Sequence, residues 1–242
     1  MQKKVTYILS NIDKALAFEW IATHLDKNKF SLDFILLSPG DSVLEKFLAE
    51  HNIRSYRILY RGKKDFFKAL LQVIKILRKN KPDVVHAHLF DANLVGLIAA
   101  RFCGIRKRIY TRHHSTYHHV YHPKAVKYDK LANTLATDIV AICKTTEEVL
   151  LNQEHVDRYK VHLIHHGFAL EDFENVPAAQ VEELKAKYNP MSKYPVVGVI
   201  SRQIELKGIQ YIIPAFEKLL QYYPDALLIL ANATGDYQNQ RS

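Results

Sequence analysis

Arg202 and Lys207 lie in the run Ser201-Arg-Gln-Ile-Glu-Leu-Lys-Gly208, which follows the apolar stretch Pro195–Ile200 and opens a helical pattern beginning near Ile209. A strand running into such a loop and then into a helix gathers an arginine fork, a lysine point charge and the free N–H groups of a helix start. That is chemistry for an anion, and a diphosphate suits it. Two ordinary solvated cations on a loop are the plain alternative.

A second cluster carries imidazole. His86-Ala-His88 on a strand puts both rings on one face, and Asp91 follows, which invites comparison with metal-dependent hydrolases; His114, His118, His119 and His122 could add ligands. Against this, Asp91 falls one residue late for the tighter His-x-His-x-Asp spacing. Packing and hydrogen bonding at the end of a parallel strand is the competing account of His86 and His88.

The elements that must hold these residues alternate. Val5–Ser10, Phe30–Leu37, Arg54–Leu59, Asp83–His88, Arg106–Thr111, Asp138–Ile142 and Val161–His165 have strand character. Between most of them lie amphipathic helical segments: Ala15–Leu25, Val43–His51, Asp65–Lys79, Ala92–Cys103, Lys124–Leu135 and Thr145–Asn152. Such alternation predicts an α/β fold with a mostly parallel sheet, which binds ligands at the carboxyl ends of its strands. After His165 the pattern loosens into a loop at Gly167–Pro177, a polar helix at Ala178–Lys187 and the two-proline connector Asn189–Pro195. A second β-α-β series begins with Val196–Ile200, Ile209–Tyr222 and Ala226–Ala231. The expected organisation is a first domain over 1–168, a linker and helix over 169–194, and the start of a second, truncated domain over 195–242.

The 242 residues carry a formal charge of +9, so an acidic partner is expected. No zinc-finger spacing, RNP-like strand or basic tail points to nucleic acid. Cys103 and Cys143 have no metal-ligand spacing and fit buried free thiols in a reducing compartment. With no long apolar run and no signal-peptide core, a cytoplasmic location is expected. The segment Asp65–Lys79 interleaves Lys68, Lys75, Arg78 and Lys79 with Phe66, Phe67, Leu70, Leu71, Ile74 and Leu77. It suits either a sheet-packing helix with a solvated cationic face or peripheral contact with an anionic membrane.

Four motifs in order carry a family resemblance: Pro82-Asp-Val-Val-His-Ala-His88 with Asn93–Ala100, then Thr111-Arg-His-His114, then Val161-His-Leu-Ile-His-His-Gly167, then the Arg202/Lys207 loop. Together they resemble a glycosyltransferase of family 4, over essentially the whole chain. The resemblance implies the GT-B architecture of two Rossmann-like domains. It also implies transfer of a sugar from a nucleotide diphosphate donor to an acceptor hydroxyl with retention, and with no metal or other cofactor. It carries Arg202, Lys207 and Gly208 onto the donor diphosphate, where cations stabilise the charge that builds on the departing group. His113 then corresponds to the histidine that meets the transferred sugar or the acceptor, with His114 the alternative. Gly167, after His166, matches a position where the backbone turns past the cleft, and glycine would permit a positive φ there.

Two departures stand out. The first βα loop, Ser10–Glu19, lacks the family's frequent Gly-Gly pair, leaving Asp13 and Lys14 as cleft candidates, and Glu19 reads as a helix-surface residue. The family's paired glutamates of the second domain would fall beyond Ser242, so the chain is expected to be an inactive fragment of such an enzyme, or a module that only binds an acceptor or partner. The long segment His113–Pro123 is expected to be an acceptor-binding loop through His118 and Tyr121.

Overall fold

The computed structural model describes residues 2–201 and 205–231. Seven strands form one parallel sheet: β1 (Lys3–Ser10), β2 (Phe30–Ser38), β3 (Ser55–Leu59), β4 (Val84–His88), β5 (Lys107–Arg112), β6 (Asp138–Ala141) and β7 (Val161–Leu163). Their spatial order is β3-β2-β1-β4-β5-β6-β7. The chain works outward from β1 to one edge, then returns to β4 and works toward the other. The strand order therefore reverses between β1 and β4, where open α/β sheets leave a crevice above the strand ends. Residues Val5–Leu9 of β1 pair in register with Val84–His88 of β4, and His88 of β4 lies opposite Thr111 of β5.

Helices α1 (Leu16–His24) and α2 (Val43–Glu50) cover one face, meeting Leu9, Phe34 and Leu36 through Phe18, Ala22, Leu44 and Leu48. The other face packs Ile8, Ile35, Leu37, Val85 and Ala87 against α3 (Phe66–Asn80) and α4 (Phe90–Phe102). Successive residues of β2, Phe34 to Leu37, are all buried because the pleat sends them alternately into these two layers. Helix α4 is buried on most sides, lying between α3 and a later helix, Val126–Leu135. Gly96 permits that fit: a Cβ there would lie 3.0 Å from Ile8 Cδ1 and 3.4 Å from Ala87 Cβ. Helix α3 stops where Lys81 turns left-handed (φ 49°) ahead of Pro82.

The segment expected to be a loop over His113–Pro123 instead contains a helical turn, α5 (Tyr117–Tyr121), followed by α6 (Val126–Leu135). Helix α7 (Lys144–Glu148) runs on into a π-helical turn at Val149–Gln153. A further short helix, α8 (Glu171–Glu174), lies in the expected Gly167–Pro177 loop, ahead of α9 (Ala178–Tyr188). Tertiary contacts divide the chain between Ala169 and Leu170. In the second unit β8 (Val196–Ile200) pairs in parallel with β9 (Leu227–Ala231) across α10 (Ile209–Leu220), and Ile209 and Ala226 are its buried apolar side chains among the described residues.

Candidate functional site

Strand alternation sends Val85 and Ala87 to one layer and His86 and His88 to the other, where Tyr7 and Phe18 wall them in. The Tyr7 ring lies 4.9 Å from His86 and 5.0 Å from His88, and Phe18 meets His88 edge-on at 4.9 Å. The two imidazoles stack at 4.2 Å. Each is committed to β5 or to the residues just past it: His86 Nε2 to Thr111 Oγ1 at 2.8 Å, and His88 Nδ1 to His113 Nε2 at 3.2 Å. The exposed His166 ring stacks over His113 at 5.7 Å. A line of imidazoles thus runs from within the sheet to the carboxyl end of β5.

Burial keeps His86, His88 and His113 neutral. Desolvation pushes His86 down to about 3 and His113 down to about 4, with smaller help from neighbouring imidazoles, and holds His88 well below the ordinary value for the same reason. At neutral pH, then, His113 can offer a hydrogen bond but no charge. His88 is followed by Leu89 at φ 72°, ψ 160°, a region that side chains other than glycine avoid, and Leu89 caps the start of α4. Asp91, one turn on, accepts from Tyr60 Oη at 3.0 Å.

Beside this line lies a buried ionic network. Arg112, 2% exposed at the end of β5, meets Asp129 of α6 at 3.2 Å and Glu154 at 2.5 Å, and its Nε donates to the His114 carbonyl at 3.1 Å. Asp129 also accepts from His118 Nδ1 at 2.6 Å, while Asn133 donates to Glu154 at 2.7 Å and accepts from Tyr110. Desolvation raises the Asp129 carboxyl, opposed first by Arg112. His114 is pushed down to about 3, first by burial and then by the Arg112 charge. The network pins the backbone on either side of His113. Arg112 belongs to the quoted Thr111–His114 motif, but nothing in the spacing of Asp129, Asn133 or Glu154 links them to it.

His114, His118 and Asp129 bring three possible metal-ligating atoms within 4.8 Å of one another. The Arg112 guanidinium already occupies the Asp129 carboxylate, and a cation there would meet its charge in a desolvated setting. The hydrolase set is not assembled: among the described residues His86, His88 and Asp91 form no such group, because His86 and His88 are turned to Thr111 and His113 and Asp91 to Tyr60.

The remaining sequence candidates are dispersed. Asp13 is exposed and spent on α2, its carboxylate accepting from Val43 N at 3.0 Å, while Lys14 is exposed nearby. Glu19 is not on the surface as expected; it is 8% exposed, because α1 turns Phe18, Glu19 and Ala22 toward the sheet, and its Oε1 has no partner among the described residues. His118 is buried at 7% exposure, whereas Tyr121 is 52% exposed and packs on Tyr117. Gly167 is not in the positive-φ region, and a Cβ there would meet open space, so neither geometry nor crowding calls for glycine at that point. In the second unit Lys207 is exposed in a 3-10 turn, and Gly208, at φ 70°, caps α10. Arg202 lies outside the described residues.

The family model for Glycosyltransferase Family 4 matches residues 20–172. Over 171 residues the chain is 26% identical to the Escherichia coli UDP-Gal:alpha-D-GlcNAc-diphosphoundecaprenol alpha-1,3-galactosyltransferase, covering 67% of this chain and 43% of that protein. It is 27% identical over 175 residues to the capsular polysaccharide biosynthesis glycosyltransferase CapM of Staphylococcus aureus, covering 68% of this chain and 45% of that protein. The chain thus spans less than half the length of these two relatives. Anabaena Alr3699/HepE, solved with UDP and glucose, superposes with a TM-score of 0.75 at 18% identity, over all of this chain and 64% of that one. The UDP-GlcNAc 2-epimerase of Neisseria meningitidis does so with a TM-score of 0.68 at 16% identity, over 98% of this chain and 67% of that one. These likenesses give the fold, an α/β fold of the GT-B type shared by glycosyltransferases and epimerases.

Proposed function

Because the chain belongs to Glycosyltransferase Family 4, whose model spans residues 20–172, we propose that it serves transfer of a sugar from a nucleotide diphosphate donor to an acceptor hydroxyl, with retention and without a metal. The observation that carries the reading is His113: a half-buried, neutral imidazole at the carboxyl end of β5, held from behind by His88. Such a group can hydrogen-bond a sugar oxygen without adding charge. Lys207, Arg202 and Gly208 are assigned to the donor diphosphate, where positive charge stabilises the departing nucleotide more than the bound substrate. Asp13, Lys14, His114, His118, Tyr121, His166 and Gly167 remain candidates for lining the acceptor side.

UDP is the proposed nucleotide, since the Anabaena neighbour holds UDP and the E. coli relative is named for UDP-Gal. That relative's name also gives a diphosphoundecaprenol-linked acceptor, so a lipid-linked sugar is the proposed acceptor class here, met at the cytoplasmic membrane face. No helix among the described residues is long and apolar enough to cross a membrane, and contact would be peripheral. Helix α3 supports it: Ala69, Val73, Ile74 and Leu77 pack inward, while Phe67 at 76% and Leu71 at 68% exposure stand among Lys64, Lys68 and Lys75.

Titration calorimetry with UDP-, GDP- and ADP-sugars tests the donor. Arg202→Ala and Lys207→Ala should each weaken UDP-sugar binding about 10- to 150-fold, the loss of one charge-assisted hydrogen bond of about 1.5–3 kcal/mol. Absence of binding by every nucleotide sugar would defeat the proposal. The anomeric configuration of the product, read by NMR, decides retention, and equal sedimentation with anionic and neutral liposomes would end the membrane reading.

A further inference from the structure

We infer that His88 is a positioning residue that fixes the ring tautomer of His113, so that His113 presents Nδ1–H, a hydrogen-bond donor, at the open end of the sheet. Its functional meaning rests on the reading of His113 given above; the geometry does not. His88 Nδ1 and His113 Nε2 are 3.2 Å apart, and one of two neutral imidazoles must donate while the other accepts.

Only two arrangements are open. If His113 Nε2 carried the proton, His88 Nδ1 would accept and the His88 proton would sit on Nε2. That atom is buried and has no hydrogen-bond partner among the described residues, and a buried N–H left unmade costs about 1–3 kcal/mol. The rings of Tyr7 and Phe18, at 5.0 and 4.9 Å, offer it only a weak π acceptor. In the other arrangement His88 donates from Nδ1, its Nε2 is a bare lone pair against those rings, and His113 accepts at Nε2. The proton of His113 then resides on Nδ1, which has no partner among the described residues. The second arrangement makes the bond without stranding a donor.

His88 is able to enforce this because it cannot turn. It is 4% exposed, stacked on His86 at 4.2 Å and walled by Tyr7 and Phe18, while His86 is itself tied to Thr111. An imidazole free in water favours the Nε2–H form, so the tautomer expected at His113 is one that its surroundings must impose.

The test is a long-range 1H–15N correlation spectrum of 15N-histidine-labelled protein, with the His113 ring assigned by its loss in His113→Gln. A protonated Nδ1 and an unprotonated Nε2 are expected for His113, and the opposite pattern overturns the inference. His88→Asn, whose amide can donate from near the Nδ1 position, should keep the pattern, whereas His88→Phe should move His113 toward Nε2–H; an unchanged His113 in His88→Phe also overturns it. Should His88→Phe fail to fold, the wild-type spectrum alone decides. The readout needs no substrate, so a failure of sugar-nucleotide binding and a failure of this tautomer are separate results.

Discussion

Replacing Arg112 with methionine removes the guanidinium from between two buried carboxylates. Arg112 is 2% exposed, and it meets Asp129 and Glu154, whose side chains are 6% and 0% exposed. Breaking a buried pair from one side typically costs about 3–5 kcal/mol, since the remaining charge keeps its desolvation penalty. For a chain of this size that lowers Tm by about 6–20 °C, and at a urea slope of about 2–3 kcal/mol per M it shifts the midpoint by about 1–2.5 M. Trp20, the single tryptophan, lies in α1 of the same unit, so its fluorescence follows this unit during urea unfolding.

The deficit should also depend on pH in a definite direction. The Asp129 carboxyl is already raised by burial, and Arg112 is what opposes the rise. Without Arg112 it rises further in the folded state. A carboxyl whose folded pKa exceeds its unfolded value of about 3.9 contributes stability in full below that value and loses it as pH climbs through the folded pKa. Arg112→Met should therefore be further below wild type at pH 7.5 than at pH 5. Arg112→Lys keeps the charge but not the fork, and should lose less. A methionine variant within about 1 kcal/mol of wild type at pH 7.5, or a deficit equal at both pH values, would refute the reasoning.

Three more outcomes are expected. Gly96→Ala should destabilise by about 1 kcal/mol in urea melts, because overpacking against Ile8 and Ala87 (about 1–3 kcal/mol) outweighs a helix-propensity gain of about 1 kcal/mol; a gain in stability would mean that the end of Ile8 swings aside. Leu89→Gly should leave stability equal or raise it by up to about 2 kcal/mol, relief of the φ 72° backbone offsetting glycine's entropy cost, and a loss above about 1 kcal/mol would count against strain there. His86, His113 and His114 have folded pKa values lowered to about 3, 4 and 3, so their contribution is fully present above about pH 6.5 and is lost as pH falls toward those values; urea midpoints should decline between pH 6.5 and 5, where ordinary carboxylates are still ionised, and a flat profile over that range would contradict the burial of these rings.

What the sequence by itself determined was whatever local periodicity and order encode. Alternating strand-like and amphipathic stretches predicted all seven strands of the first sheet, most plainly β2, whose run Phe34–Leu37 is apolar because it is covered on both faces. The order of four short motifs pointed to the family, since side-chain chemistry at strand ends is written in adjacent residues. The tertiary structure decided what depends on distance across the sheet. Only pairing β4 beside β5 puts His88 against His113, 25 residues away, and turns a suspected metal pair into a hydrogen-bonded support. Only the tertiary fold brings Asp129 of α6, and Glu154 just past the π-helical turn, to Arg112 at the end of β5, and it is Asp129 that holds His118 inside while Tyr121 beside it stays exposed. Glu19 went the same way, its helical phase being set by the sheet beneath α1 rather than by its charge. Burial of a polar residue is a property of what closes over it, and no spacing within its own segment records that.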